Sequence, residues 1–256
     1  MSALSLSLEV VPDIPLVMPG DNLSQVIMQS LADNDVELID NDVVVIAQKI
    51  VSKAEGQIVN LKEINPGIEA IRLADEVDKD PRLVQLILND SNRVVRSKPG
   101  VLIVEHRSGI VMANAGIDHS NVENNSDDQF VTLLPQDADD SADRIRHELE
   151  FATNKKLAVI INDSVGRPWR KGTVGITIGC SGILALKDLR GEQDLYGTTL
   201  EVSETADADA LASAACLLMG EAAEASPVVL VRGFALQQRS GNSSELLRDA
   251  ENDMFR

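Results

Sequence analysis

Aromatic side chains and positive charge are both scarce in this sequence. Aromatic residues make up 2% of the chain, with a single tryptophan, so we do not expect a platform on which nucleobases stack. Acidic residues outnumber basic ones by 41 to 23, which gives a formal net charge of −18. A chain with this charge repels a polyanion. Both properties argue against nucleic-acid binding.

Long apolar runs and cysteines are also rare. No apolar run approaches the ~20 residues that a membrane-spanning helix needs. The segment Met1–Leu8 alternates polar and apolar residues without a basic stretch, which predicts a first strand instead of a signal peptide. We therefore expect a cytoplasmic protein that does not bind membranes. The two cysteines, Cys180 and Cys216, are expected to be small buried side chains.

The common nucleotide-binding loops are missing as well. The sequence has neither a Gly-x-x-x-x-Gly-Lys-[Ser/Thr] loop nor a Gly-x-Gly-x-x-Gly turn after a strand, so a nucleotide would have to bind without them. Strand and helix patterns interleave without a regular βαβ rhythm, which predicts a mixed α/β (α+β) fold with partly antiparallel sheets. Residues 1–256 are expected to form a single module. Two subdomains, with a crossover near the polar segment 123–140, are the alternative.

Hydrophobic periodicity locates the individual elements. Asp80 followed by Pro81 is typical of a helix start, and Ser141 is expected to cap the following helix. The predicted strands are Leu4–Val11, Val43–Ile50, Val94–Val95, Val101–Val104, Ile110–Met112, Leu157–Ile161, Val174–Ile178, Leu200–Val202 and Val228–Val231. The predicted helices are Leu23–Leu31, Ile68–Val77, Arg82–Leu88, Ser141–Thr153, Asp207–Met219 and Glu245–Phe255.

The most informative segment follows the apolar run that ends at residue 161. Asp163 and Ser164 come first, and the cations Arg167, Arg170 and Lys171 follow within eight residues. A carboxylate beside a hydroxyl suits a hard metal such as Mg²⁺. Cations on a glycine-bounded loop suit phosphate or carboxylate groups. The combination predicts a site for phosphoryl transfer.

A second polar segment lies about forty-five residues upstream. Two β-like runs turn back on each other and lead into Asn-Ala-Gly-Ile-Asp-His-Ser-Asn, which contains Asp118 and Asn121. This string is too polar to extend a strand, and it places one carboxylate among short hydrogen-bonding side chains. Asp118 and Asp163 could therefore bind metal ions together. Taken singly, each is better explained as a turn or cap residue.

These segments resemble one known family, coenzyme F420-0:L-glutamate ligase, also called the F420 gamma-glutamyl ligase family. Three further segments carry the resemblance: Gln48–Gly56, Lys187–Gly197 and Leu217–Glu221. The resemblance extends from about Glu9 to about Gly233, which is nearly the whole chain. Five motifs in the same order make a chance match improbable.

The resemblance implies an activity and its reactants. The enzyme would use GTP to join L-glutamate to the carboxylate of coenzyme F420-0, and then form a gamma-glutamyl bond to F420-1. The reaction would pass through an acyl phosphate and release GDP and phosphate. Mg²⁺ or Mn²⁺ is expected as cofactor, with two ions in each site, and K⁺ is a further candidate. The resemblance also implies a homodimer.

The resemblance assigns roles to particular residues. Metal ions would be held by Asp118, Asp163, Ser164 and Glu221. The charge of the chain, and not the resemblance, suggests that Arg167, Arg170 and Lys171 hold the acceptor or glutamate carboxylates, because a chain of net charge −18 needs local cations there. GTP would contact Pro12, Asp13, Ile14, Pro15, Gln48, Lys53, Asn121, Gly220, Glu221, Ala222 and Ala223. The family's turn usually ends in Gly-Leu-Pro where this chain has Asp13-Ile14-Pro15, and the family is glycine-rich where this chain has Ala222 and Ala223.

Two other functions remain compatible with the same residues. One is a ligase of the same fold that acts on another carboxylated acceptor. The other is a nucleotide-binding protein without catalytic activity. Testing several acceptors in parallel separates the first from F420-0 ligation, and GDP release with any acceptor excludes the second.

Overall fold

The computed structural model describes residues 5–119, 129–237 and 240–254. The strands are β1 Ser7–Val10, β2 Val43–Ala47, β3 Ile58–Asn60, β4 Ser91–Lys98, β5 Val101–His106, β6 Val111–Ala113, β7 Phe130–Thr132, β8 Ala158–Gly166, β9 Thr173–Ser181, β10 Lys187–Asp188, β11 Glu204–Thr205 and β12 Val228–Arg232. The α-helices are α1 Leu23–Asp33, α2 Gln48–Ala54, α3 Ile68–Val77, α4 Pro81–Asn89, α5 Ala138–Thr153 and α6 Asp207–Met219. Short 3-10 helices cover Leu61–Glu63, Asn114–Gly116 and Ser243–Leu246.

The largest sheet within these ranges has the strand order β1-β12-β2-β8-β9. Only the pair of β2 with β8 is parallel, and the other neighbours in this sheet are antiparallel. Smaller antiparallel pairings join β4, β5 and β6, β3 and β7, and β10 and β11. This arrangement confirms the predicted mixed α/β fold with partly antiparallel sheets.

The central strands are buried on both faces. Residues of β2 alternate between two hydrophobic cores: Val44 and Ile46 pack with α1 and α5, while Val43 and Val45 pack with α6. A strand covered on both faces has no reason to alternate apolar with polar residues, so its sequence is a continuous apolar run. A third core joins α3 and α4 to β5.

Several sequence predictions about elements are wrong. The strand predicted at Val43–Ile50 stops at Ala47, and helix α2 begins at Gln48. The neighbouring strand explains the stop: β12 starts at Val228, opposite Ile46, so β2 has no antiparallel partner beyond the bond from Ala47 N to Pro227 O (2.8 Å). Short apolar runs fit either element, and the tertiary partners decide between them.

Other boundaries differ at the ends of helices. Asp80 caps α4 with Pro81 in its first turn, as predicted, but α5 is capped by Asp137 instead of Ser141.

Residues 200–202 form no strand, and 245–254 form no α-helix. Part of the expected crossover at 123–140 lies outside the described residues, and the rest contains β7 and the start of α5. No helix in the described ranges is long and apolar enough to cross a membrane.

Candidate functional site

The polar segments singled out in the sequence lie together at one edge of the large sheet. β2 and β8 run parallel, and Ala47 of β2 pairs with Asn162 of β8. Lys49 and Asp163, which follow these two residues in the sequence, therefore lie at the same edge. The loop between α6 and β12 reaches this edge too, because β12 is antiparallel to β2. It carries Glu221. The fold thus brings together three segments that are far apart in the sequence.

The Asp118 carboxylate lies at this edge because it forms a salt bridge with Lys49. The Lys49 ammonium lies 2.7 Å from Asp118 Oδ2, and the Lys49 side chain is 23% exposed. The backbone of Asp118 is fixed by Thr132, since each residue's N–H donates to the other's carbonyl, at 3.1 and 2.9 Å. β7 therefore holds the Asp118 carboxylate against α2.

Asp163 is the most strongly perturbed acid of this edge. Burial raises the pKa of its carboxyl to about 7, and the like charges of Asp118 and Glu221 act in the same direction. The N–H of Ser164, which donates to Asp163 Oδ1 at 2.9 Å, and the Lys49 ammonium oppose the rise. A half-buried carboxyl close to two other acids favours a cation as neighbour.

Glu221 contacts β8 through Ser164. Its carboxylate accepts hydrogen bonds from Ser164 Oγ at 2.9 Å, from Cys216 Sγ at 3.3 Å and from Thr173 Oγ1 at 3.5 Å. Burial raises the pKa of the Cys216 thiol to about 11. Gly220 ends α6 with φ 72°, and a Cβ there would lie 2.2 Å from the Glu224 side chain. Glycine is therefore needed to turn the chain at this position.

The turn predicted to touch nucleotide follows β1 at the same edge. Val11 N donates to Val228 O at 2.9 Å, which places the turn beside the start of β12. Within it, Ile14 packs against the core, and the Asp13 carboxylate accepts from Asn34, the C-cap residue of α1, at 3.3 Å. Pro12 is partly buried and Pro15 is exposed.

The other residues predicted to bind nucleotide lie in α2, in the loop after α6 and outside the described residues. Gln48 is buried and accepts from Ser52 Oγ at 2.9 Å, one helical turn further along α2. Burial, and secondarily the charge of Lys49, lower the pKa of Lys53. Ala222 and Ala223 are exposed, and Ala222 N donates to Glu224 Oε2 at 2.7 Å. Asn121 lies outside the described residues.

The cationic loop forms the tip of the β8–β9 hairpin. The hairpin pairs Gly166 with Thr173, and a register shift after Ile161 bends it. Arg170 and Lys171 are exposed, while Arg167 Nη1 donates to Gly172 O at 3.1 Å. The loop thus shares its strands with Asp163 and Ser164. Within residues 5–119, 129–237 and 240–254, no hydrogen bond or salt bridge joins Arg170 or Lys171 to these carboxylates.

The sequence is similar to known proteins over nearly its full length. The family model for F420-0:Gamma-glutamyl ligase matches residues 13–233. The chain is 45% identical to the coenzyme F420:L-glutamate ligase of Methanothermobacter thermautotrophicus over 255 residues, which cover 99% of this chain and 100% of that protein. The proteins of the same name from Methanocaldococcus jannaschii and Methanopyrus kandleri are 44% and 42% identical, with at least 94% of each chain covered. The chain belongs to the F420-0:gamma-glutamyl ligase family.

The site of this F420-0:gamma-glutamyl ligase family member has donors that suit a hard divalent cation. Asp118, Asp163, Ser164 and Glu221 offer only oxygen atoms, the ligands that Mg²⁺ and Mn²⁺ prefer. Burial is the main cause of the raised pKa of Asp163, and the charges of Asp118 and Glu221 add to it, so a bound cation would favour the ionised carboxylate. In the described part of the chain, no three acidic, histidine or cysteine side chains are close enough to hold an ion as they stand. The acids would have to close around it.

Three residues of this family member's site were not assigned by sequence reasoning. Lys49 and Lys53 were both considered as lysines that could touch nucleotide phosphates, but only Lys53 was predicted as a site residue, and a strand was predicted where α2 forms. A helical interpretation would have placed Lys49 and Lys53 on one face, four residues apart. Cys216 and Thr173, which contact Glu221, have no local sequence signal for such a role.

Proposed function

We propose that the chain is a GTP-dependent ligase that joins L-glutamate to the carboxylate of coenzyme F420-0 and then to F420-1, in keeping with the names of its relatives. The observation that carries the proposal is the convergence of Asp118, Asp163 and Glu221, with Ser164 and Lys49, at one edge of the sheet. Such a set of acids beside a lysine suits metal-assisted phosphoryl transfer. The strongly negative chain otherwise offers little to attract a nucleoside triphosphate.

The reaction requires the acceptor carboxylate to be activated, because a carboxylate reacts poorly with an amine at neutral pH. One carboxylate oxygen would attack the γ-phosphorus of GTP, the bond to the bridging oxygen would break, and GDP would leave with that electron pair. The free amine of glutamate would then attack the acyl carbon. A C–N bond forms, the C–O bond to phosphate breaks, and the proton of the new ammonium passes to solvent.

The chain's own residues would position and neutralise the reactants. Lys53 and Asn121 would bind the nucleotide, and Arg167, Arg170 and Lys171 would bind the carboxylates of the acceptor or of glutamate. Asp118, Asp163, Ser164 and Glu221 would hold Mg²⁺ or Mn²⁺, which supplies positive charge to the nucleotide phosphates. K⁺ remains a proposed additional cation.

Incubation of the protein with F420-0, L-glutamate and Mg²⁺ tests this function. We expect GTP to support formation of a product heavier by one glutamyl residue, with stoichiometric GDP, and ATP to be a poorer substrate. Liquid chromatography with mass spectrometry measures the product, and EDTA provides the metal-free control. Equal kcat/KM for GTP and ATP would contradict the nucleotide assignment. Turnover of a different carboxylated acceptor, but not of F420-0, would favour the alternative ligase.

We also propose that the protein is a homodimer. The segment between β10 and β11 exposes Leu195, Tyr196 and Val202 almost completely, at 99%, 95% and 84%. Large apolar side chains exposed within one short segment are typical of interfaces. A double change of Leu195 and Tyr196 to Asp should lower the mass in solution, measured by light scattering, from dimer to monomer. Ile68→Asp, at an exposed apolar residue of α3, is the control; a dimeric double variant would place the interface elsewhere.

A further inference from the structure

The Glu221 carboxylate is held by donors from three different elements. Ser164 of β8 donates to Oε2, while Cys216 of α6 and Thr173 of β9 both donate to Oε1. Glu221 itself lies in an exposed loop. An exposed glutamate normally populates several rotamers, and fixing one of them costs conformational entropy. Donors on rigid elements reduce that freedom before any ligand arrives.

Cys216 is the best anchored donor of Oε1. It lies in the last turn of α6, and its carbonyl accepts from Gly220 N at 3.1 Å. The positive φ of Gly220 then turns the chain so that Glu221 returns over the thiol. The buried Asn162 side chain donates to the sulfur of Met219, the last residue of α6, at 3.5 Å and so ties the end of the helix to β8. The helix end therefore sets the position of the thiol relative to the carboxylate.

We propose that Cys216 is a positioning residue: its thiol fixes the Glu221 carboxylate in one orientation, around which the other acids can close on a divalent cation. The inference rests on the proposed function only in taking Glu221 as a ligand of that cation. Outer-sphere hydrogen bonds that orient a metal ligand typically change metal affinity or activity by about 10- to 100-fold. A cysteine that merely filled space would have no such effect.

The two cysteines of the chain allow a matched comparison. Cys216→Ala removes the donor, Cys216→Ser keeps a donor at the same position, and Cys180→Ala removes a thiol that is buried in β9. Mn²⁺ alone serves as the probe, and its dissociation constant is measured by isothermal titration without nucleotide or acceptor. Thermal unfolding without metal establishes that each variant is folded.

We expect Cys216→Ala to weaken Mn²⁺ binding by about tenfold, and Cys216→Ser and Cys180→Ala to bind Mn²⁺ nearly as tightly as the unchanged protein. In ligation assays, the Mn²⁺ concentration for half-maximal rate should rise in the same order, with little change of KM for L-glutamate. Equal affinity of Cys216→Ala and the unchanged protein would overturn the proposal. So would equal weakening by Ser and Ala, or no Mn²⁺ binding by the unchanged protein.

A spectroscopic test needs no change at Cys216. In Cys180→Ala protein, the S–H stretching band in the infrared arises from Cys216 alone. If the thiol donates to Glu221, saturating Mn²⁺ should shift this band, because the cation withdraws charge from the accepting oxygen. An unchanged band at saturating Mn²⁺ would overturn the proposal. A shifted band in a protein that fails to ligate glutamate to F420-0 would refute the proposed function and support the role of Cys216.

Discussion

Replacing Asp163 with asparagine should reduce kcat for glutamate ligation by roughly a hundred-fold or more, since even the outer partners of metal ligands are worth about 10- to 100-fold. The amide keeps the shape of the carboxyl but loses the charge that would hold a divalent cation. Initial rates at saturating GTP, measured as product by mass spectrometry, test this. Asp75→Asn, at an exposed acid of α3, is the control for the loss of one negative charge and should leave kcat unchanged.

The same change should not destabilise the metal-free protein. In the folded state, burial and the neighbouring acids raise the pKa of Asp163 from 3.8 to about 7. The stability that its neutral form provides is therefore present below pH 3.8 and is lost as the pH rises towards 7. Asparagine stays neutral, so Asp163→Asn should unfold at the same or a higher temperature at pH 7 to 8. A large drop in both Tm and kcat would instead identify Asp163 as a structural residue.

Replacing Arg170 with alanine should raise the KM for the acceptor or for L-glutamate while GTP affinity changes little. Arg170 is exposed on a hairpin tip whose strands carry Asp163 and Ser164. In a chain with a net charge of −18, local cations have to offset the repulsion between anionic reactants. A lost charge-assisted hydrogen bond is worth about 1.5–3 kcal/mol, which corresponds to about ten- to a hundred-fold in KM.

Steady-state kinetics with each reactant varied in turn measures this effect. Arg96→Ala, which removes an exposed arginine of β4, is the matched control and should change no constant. If Arg170→Ala weakened GTP binding and left both other KM values unchanged, the loop would belong to the nucleotide site. The division of roles between the hairpin tip and α2 would then be reversed.

Local sequence patterns predicted the parts of the site that depend on neighbouring residues. Asp163 and Ser164 follow a continuous apolar run, and such a run at this length indicates a buried strand that ends at a polar edge. The structure places them on β8, next to the outer strand β9, although β8 continues to Gly166 instead of ending at Ile161 as predicted. The start of α4 was predictable for the same reason, because Asp80 and Pro81 act within a single helical turn.

Contacts between distant segments were not predictable in this way. The pair of Lys49 and Asp118 joins residues that are 69 positions apart, and it depends on a helix that was predicted as a strand. The contact of Thr173 with Glu221 spans 48 positions and requires β9 to pass beside the end of α6. Neither residue type nor spacing predicts these two contacts, because they depend on strand order and on the turn at Gly220.

Transfer of oxygen from acceptor to phosphate tests the central claim most directly. F420-0 labelled with ¹⁸O in its terminal carboxylate is incubated with the protein, GTP, Mg²⁺ and L-glutamate, and the released inorganic phosphate is analysed by mass spectrometry. If the carboxylate attacks GTP, each ligation should place one ¹⁸O atom in the phosphate and form one amide bond. Unlabelled phosphate, or no glutamylated product at all, would contradict the account.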